Sequence, residues 1–333
     1  MSRYIVIGAG AVGGVLAAQW SLAGVPVVLV ARGAAYDAIR ARGLRVRRPT
    51  GDDIVRVPVV PGIAHAQPTP ADTVVLAVKA QDAEAAIAAS AWVPLADGRG
   101  VVADLPILTL QNGLSTEETA LRRFPTVVGV SIGIPASHLE PGVVVSPAHP
   151  VVGAAWLGGY PAPLPAEEER YRAAFAQAGF AATVEPDIAA AKRRKLLANL
   201  RNVVDVFDAD AATAAVIERA LAEEARDIFD TAGLPVAPPS DGGIRLQIGD
   251  VAGHQPGHLS TWQSFARGTT HEVDFLSGEI VLIARSIGVP APLNSAVARA
   301  LGAWAARQGA PGRAPLPPEL RRVDADARRR TVA

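Results

Sequence analysis

Two sets of residues in this chain have the types and the spacing to do chemistry. Near the start, Gly8-x-Gly10-x-x-Gly13 follows the apolar run "RYIVI" and opens an Ala-rich stretch that stops at Gly24. Between a strand and a helix, the first glycine makes the tight turn. The second lets a pyrophosphate reach the backbone, and the third lets helix pack on strand. The helix N-terminus, at Ala11, Val12 and Gly13, then faces the phosphates. Farther on, "KRRKLLANLRNVVD" (192–205) reads as helix. At 100° per residue, Leu196, Leu200, Val203 and Phe207 share one face, and Arg194, Arg201 and Asp205 fall roughly opposite, as a solvated face. Lys195, Asn199 and Asn202, spaced i, i+4, i+7, form a stripe on the border. An amine and two amides at half-buried positions cost stability unless they have partners.

The elements around these residues point to one edge of a sheet. The strand "VPVVLVAR" ends in Arg32 where an NAD site places the acid that holds the ribose 2′-hydroxyl. A guanidinium there suits a 2′-phosphate, which favours NADP(H). "TVVLAVKAQD" puts Lys79, and "PILTLQNGLSTEE" puts Gln111, Asn112 and Gly113, at the carboxyl ends of two more strands. Ligands of open parallel sheets bind outside those ends. A lysine or an Asn-Gly after a strand is ordinarily a turn, but four strands here share the habit.

Further strands are expected in "TVVGVSIGIPAS", "GVVVSP" and "AAWLGG", then a helix over 167–178 and a strand over 181–185. Pro186-Asp187 starts a helix with Asp187 as N-cap. The domain boundary is set there, giving 1–185 and 186–308. Helices are expected at 187–208, 212–232, 259–267 and 270–287. Residues 235–258, rich in Pro, Gly and Asp, suit a lid or a short helix. The Pro- and Arg-rich stretch 309–333 is expected to be poorly ordered. Ser260, Glu272 and Asp274 are the remaining polar candidates. Thr269-x-x-Glu272 fits a capping box, which by itself explains the glutamate, and Ser260 equally fits an N-cap. His254 and His258 are separated by Pro256-Gly257 and lack a third ligand, so no metal site is expected.

Bulk properties narrow the field. The chain has 333 residues, 50% hydrophobic, and a formal net charge of zero, enough for two domains and without an electrostatic draw toward nucleic acid or an anionic membrane. No apolar run reaches the roughly 18 residues of a membrane span, and the N-terminus lacks a signal-peptide pattern. The absence of cysteine excludes disulfides and suits the cytoplasm.

In order and spacing, "GAGAVGG", Arg32, "VKAQD", "LQNG", "KLLAN" with Asn202, and "THEVDFLSG…GVPAPLN" resemble the ketopantoate reductase (2-dehydropantoate 2-reductase) family from Tyr4 to about Ala296. The resemblance implies an α/β protein, a doubly wound Rossmann domain followed by an all-α C-terminal domain like that of 6-phosphogluconate dehydrogenase. It implies NADPH-dependent reduction of a 2-oxo acid, in pantothenate biosynthesis, with a small-molecule substrate and no nucleic acid or membrane partner; a homodimer stays open. By motif position Lys195 resembles the family's catalytic lysine, and Asn199 and Asn202 its substrate-contacting amides. Ser260 and Glu272 resemble its serine and glutamate, and Lys79 and Asn112 its residues near the nicotinamide. On this likeness Lys195, Glu272 and Asn199 are catalytic candidates, and Asn112, Asn199, Asn202 and Ser260 contact substrate. Gly8, Gly10, Ala11, Val12, Gly13, Arg32, Lys79, Asn112 and Glu272 hold the cofactor. A cationic ammonium stabilises the oxygen that becomes negative on hydride transfer and donates its proton. The departures, Arg193 for a tryptophan, Val203-Val204 for Pro-Leu, and the 235–258 stretch, surround the substrate. They keep a different carbonyl substrate open, as well as a non-catalytic NADP(H) sensor.

Overall fold

The computed structural model describes residues 3–239, 244, 246–254 and 257–332. By its contacts the chain forms two compact units. One comprises Met1–Gln111, Ser115–Ala191 and Pro239–His254; the other comprises Asn112–Leu114, Lys192–Pro238 and Gln255–Ala333. This division departs from a contiguous split at 185/186 in three places: the boundary falls after Ala191, the Asn112–Leu114 turn groups with the helical unit, and Pro239–His254 with the sheet unit.

The first unit is built on an eight-stranded sheet. Its order is Phe180–Val184, Gly153–Tyr160, Val127–Gly133, Ile107–Thr109, Thr73–Leu76, Tyr4–Ile7, Val27–Val30, Val59–Val60. Only the pairing of Val127–Gly133 with Gly153–Tyr160 is antiparallel. The six strands from Val59–Val60 to Val127–Gly133 follow the doubly wound order, and the winding reverses between Tyr4–Ile7 and Thr73–Leu76. Parallel strands are covered on both faces, so they read as unbroken apolar runs. Their side chains still alternate. Tyr4, Val6 and Leu29 enter one core with Trp20 and Phe175, while Ile5, Ile7 and Val28 enter another with Ile87 and Phe124. Tyr4 stacks on Trp20 with ring centroids 4.4 Å apart.

A second sheet joins Gly51–Val55, Leu44–Arg48, Val143–Val145 and Ser137–Glu140. The stretch expected as a lid or short helix instead contributes a strand, Gln247–Ile248, paired antiparallel with Ala148–His149. Gly249 N–H donates to Pro147 O (2.9 Å). Pro and Gly oppose helix there but leave an edge strand available. Residues 240–243, 245, 255 and 256 of that stretch lie outside the described residues.

The second unit is helical. Asp187 does begin the Ile188–Asn199 helix, accepting from Ala190 N–H (2.9 Å). The α-helix stops at Asn199, however, and Leu200–Val206 is a 3-10 helix, not the α-helical continuation expected to 208. Ala211–Thr231 follows with Asp210 as N-cap, and buries Ile217, Leu221, Ala225 and Ile228 at helical spacing. Ser260–Ala266 matches expectation. The segment expected as one helix over 270–287 is a 3-10 turn, Val273–Phe275, then an α-helix, Ser277–Ser286. Pro292–Ala306 is a further helix, with Pro at its start. Glu224 accepts from the N–H groups of Leu293 and Asn294 (2.8 Å each).

The expectation of a poorly ordered C-terminal tail is overturned. Pro318–Val332 is a helix, Leu320 is fully buried in the helical core, and Ala314 exchanges backbone hydrogen bonds with Val206 and Asp208. Arginine- and proline-rich composition hid a few apolar anchors, and those suffice to dock the segment.

Candidate active site

The glycine turn has the geometry of a cradle. Gly8 sits at φ +115°, and its N–H donates to Val30 O (3.1 Å). A Cβ on Gly13 would stand 2.0 Å from Gly8 O and 2.9 Å from Ala77 Cβ, whereas a Cβ on Gly10 would meet nothing within 4 Å. Gly13 therefore lets the Ala11–Leu22 helix approach the turn, and Gly10 leaves open space. No side chain caps that helix, so its N-terminal N–H groups are available to an anion. These features fit a dinucleotide pyrophosphate.

In the same unit Arg32 is exposed just past Val27–Val30, and among the described residues it has no ion-pair partner. Lys79 is half-buried after Thr73–Leu76. Gln111, 3% exposed, donates from Nε2 to Leu76 O (2.8 Å) and Val78 O (2.9 Å). It clamps the backbone that leads into Lys79.

The second unit brings most of the remaining candidates together. Lys195 and Asn199 lie one turn apart on the Ile188–Asn199 helix, both half-buried. Asn199 Nδ2 donates to Asn112 Oδ1 (3.1 Å), and Asn112 Nδ2 donates to Glu272 Oε2 (3.0 Å). Asn112 thus links the amide stripe to the glutamate. Asn202 Nδ2 donates to Ser260 Oγ (3.4 Å). The bland explanations for two residues fail. Glu272 heads only the short Val273–Phe275 turn, and Thr269 hydroxyl donates to Ser264 O (3.3 Å) rather than capping a helix. Ser260 is the first helical residue, with Leu259 at the N-cap. Asp274, the other polar candidate, is exposed.

A family model described as ketopantoate reductase PanE/ApbA matches residues 4–161, and one described as ketopantoate reductase PanE/ApbA C terminal matches residues 188–305. The chain belongs to the ketopantoate reductase family. The 2-dehydropantoate 2-reductase of Mesorhizobium japonicum is 30% identical over 328 residues, covering 89% of this chain and 95% of the relative. A PanE/ApbA family ketopantoate reductase from Ralstonia eutropha shares the fold with TM-score 0.74 at 24% identity, over 92% of this chain and 99% of its own. D-mandelate dehydrogenase, solved with NADH and anilino(oxo)acetate, shares it with TM-score 0.75 at 18% identity, over the same shares. The protein is an oxidoreductase of ketopantoate reductase type with a Rossmann-like sheet domain and a helical C-terminal domain. No helix among the described residues is long and apolar enough to cross a membrane.

Around this reductase's candidate residues stand supports whose contacts sequence reasoning did not reach. Gly113, at φ +83°, holds the turn after Asn112, where a Cβ would come within 2.8 Å of Phe275 O. Buried Glu279 accepts from Leu114 N–H (3.5 Å). Glutamate in the first turn of a helix reads as a dipole complement, so its sequence carried no sign of this contact. Arg193, one of the departures from the family pattern, is buried and donates from Nε to Pro235 O (2.6 Å), and Arg194 donates to Pro238 O (2.9 Å). Both guanidiniums hold the start of the 235–258 stretch. Lys192, in the same basic cluster, is 4% exposed and is no surface residue.

Proposed function

We propose that this protein reduces a 2-oxo acid to the 2-hydroxy acid with NADPH, 2-dehydropantoate being the substrate in its relatives' names. The observation that carries the reading is the Asn199–Asn112–Glu272 chain of hydrogen bonds, beside a lysine one helical turn from Asn199. On this reading residues 1–185 hold the cofactor and 186–308 the substrate. The glycine turn at Gly8, Gly10 and Gly13, with Ala11 and Val12, seats the pyrophosphate. Arg32 takes the 2′-phosphate, and its exposure without an ion-pair partner among the described residues supports NADPH over NADH. Lys79 lies near the nicotinamide end. When bound, the reduced nicotinamide supplies the hydride.

Lys195 stabilises the developing alkoxide and donates the proton to that oxygen. Asn199, Asn202 and Ser260 hold the substrate's polar groups. Asn112 fixes both Asn199 and Glu272, so neither needs to reorganise as charge develops. Glu272 in turn orients the lysine or accepts from a substrate hydroxyl. Fold similarity is as high to the mandelate dehydrogenase as to the ketopantoate reductase, so the fold does not choose the substrate's tail.

The test is loss of NADPH absorbance with a panel of 2-oxo acids that includes 2-dehydropantoate and aryl members. Turnover of 2-dehydropantoate with NADPH is expected. If no 2-oxo acid is reduced with either nucleotide, the reductase reading fails and NADP(H) sensing takes its place.

A further inference from the structure

The turn that follows the catalytic helix changes which residues share a face. A 3-10 helix makes three residues per turn, so side chains three apart eclipse one another. Within Leu200–Val206 that aligns Asn202 with Asp205, which an α-helical wheel sends to the solvated side. Both residues then grip the same short stretch of chain. Asn202 Nδ2 reaches Ser260 Oγ (3.4 Å), and Asp205 Oδ2 accepts from Leu259 N–H (3.1 Å). The second carboxylate oxygen, Oδ1, is buried and has no hydrogen-bond partner among the described residues.

An aspartate is an expensive way to make that bond. Its carboxyl is raised to about 6, chiefly by burial and to a lesser degree by Glu218, against the downward pull of the N–H groups of Leu259 and of Asp205 itself. Asparagine offers the same acceptor without the charge. Among the described residues no group around it neutralises it. Glu218 on Ala211–Thr231 carries the same sign. His258, next to Leu259, is stacked on Trp262 with centroids 3.7 Å apart. Arg313, beside the Ala314 that bridges Phe207, makes no ion pair with Asp205 among the described residues. A charge kept at a cost to stability marks a site where function outweighs folding.

We propose that Asp205 is a positioning residue: its ionised carboxylate holds Leu259 and so fixes Ser260 for contact with the substrate. The proposal rests on the reading of Ser260 as a substrate contact. A charged acceptor binds an N–H more strongly than a neutral one, so protonation loosens Leu259 and with it Ser260. Substrate affinity then follows the ionisation of Asp205, while the hydride and proton steps do not pass through it.

The experiment is steady-state kinetics of the full-length protein with saturating NADPH and 2-dehydropantoate, from about pH 5 to about pH 8. In the parent, KM should rise several-fold as pH falls through the upper end of that carboxyl's titration, with a smaller change in kcat. Asp205→Asn mimics the protonated carboxyl. Its KM should be flat, equal to the parent's at low pH and several-fold higher at high pH. Asp205→Ala should likewise have a flat KM, about tenfold above the parent's value at high pH, the worth of a lost charged hydrogen bond. Ser260→Ala should do the same, and the double variant should be no worse than either single one. If Asp205→Asn keeps the parent's pH-dependent KM, His258 or another group carries it and the proposal is overturned. If Ser260→Ala raises KM while Asp205→Ala does not, the proposal falls and the reading of Ser260 stands. If Ser260→Ala leaves KM unchanged, the reading of Ser260 falls and takes the proposal with it.

Discussion

Gly10 and Gly13 lie three residues apart in one turn, and substitution should separate their roles. A Cβ on Gly13 would be 2.0 Å from Gly8 O, a backbone atom, and 2.9 Å from Ala77 Cβ. Neither neighbour can swing aside as a flexible side chain would. Overpacking of this kind costs about 1–3 kcal/mol, and a backbone contact so short belongs at the upper end. In a domain of about 200 residues each kcal/mol lowers Tm by about 2–4 °C, so Gly13→Ala should lose about 6–12 °C. Gly10 has extended backbone, φ −76° and ψ −166°, which any residue adopts, and a Cβ there meets nothing within 4 Å. Gly10→Val should therefore keep the parent's Tm when no nucleotide is present. It should lose the stabilisation that NADPH gives the parent, about 2.7 kcal/mol at a hundred times Kd, because the valine occupies the pyrophosphate's place. Differential scanning fluorimetry with and without NADPH reads both effects. A normal NADPH shift in Gly10→Val, or full stability in Gly13→Ala, would show that the cradle has been assigned to the wrong place.

Arg32→Ala should narrow the NADPH-to-NADH preference by about tenfold or more, the value of one charged hydrogen bond; equal affinities in the parent, measured by titration, would refute the role of Arg32. Lys195→Ala should lower kcat by about 10²–10⁴-fold with the NADPH thermal shift unchanged, and arginine should not rescue it, being a poor proton donor. Arg201→Ala, at an exposed position of the next turn, is the control, since Lys192 is buried; equal losses in the two variants would remove Lys195 from the mechanism. Asp205→Asn should also change stability with pH. The carboxyl's native value of about 6 lies above its ordinary 3.8, so the parent loses stability as pH rises through that window and stays penalised above it. About two pH units at 1.36 kcal/mol each, discounted for partial solvent contact, leave ~1–2 kcal/mol. Urea denaturation should show Asp205→Asn more stable by that amount above about pH 6 and equal to the parent below about pH 4.

The sheet half of the molecule was legible because its signals are local. Apolar runs, a glycine turn and the residue after each strand depend on a few neighbours, and the doubly wound order brings them to one edge. The helical half was legible in its elements and less so in its details. The 187–208 segment was assigned one period, but the chain tightens to three residues per turn after Asn199. That moved Asp205 from the solvated face to the side of Asn202, and no residue type between Leu200 and Val206 announces the change. Glu272 misled in the opposite way, since Thr269 stands at capping-box spacing from it while the backbone there is not helical. The tail shows that composition is a poor guide when a few apolar residues such as Ala314 and Leu320 are buried among charged neighbours.

Asn112 shows why sequence position and site membership diverge. It follows a strand of the first unit, and its neighbour Gln111 stays there, tied to Leu76 and Val78. One residue later the chain belongs by contact to the helical unit. Gly113 permits the turn and Glu279 holds Leu114, so the side chain of Asn112 stands between Asn199 and Glu272. The polar stripe on the helix is thus already satisfied in part by the protein's own amides and carboxylate. That resolves the cost of placing an amine and amides at half-buried positions, and it limits what a ligand can gain. A substrate that displaces any of these bonds must replace it, so affinity is a difference between two sets of hydrogen bonds. On the proposed reading, selectivity rests on whether the incoming oxygens match donors already fixed by Asn112, and a substrate lacking a matching oxygen would leave a buried amide unpaired.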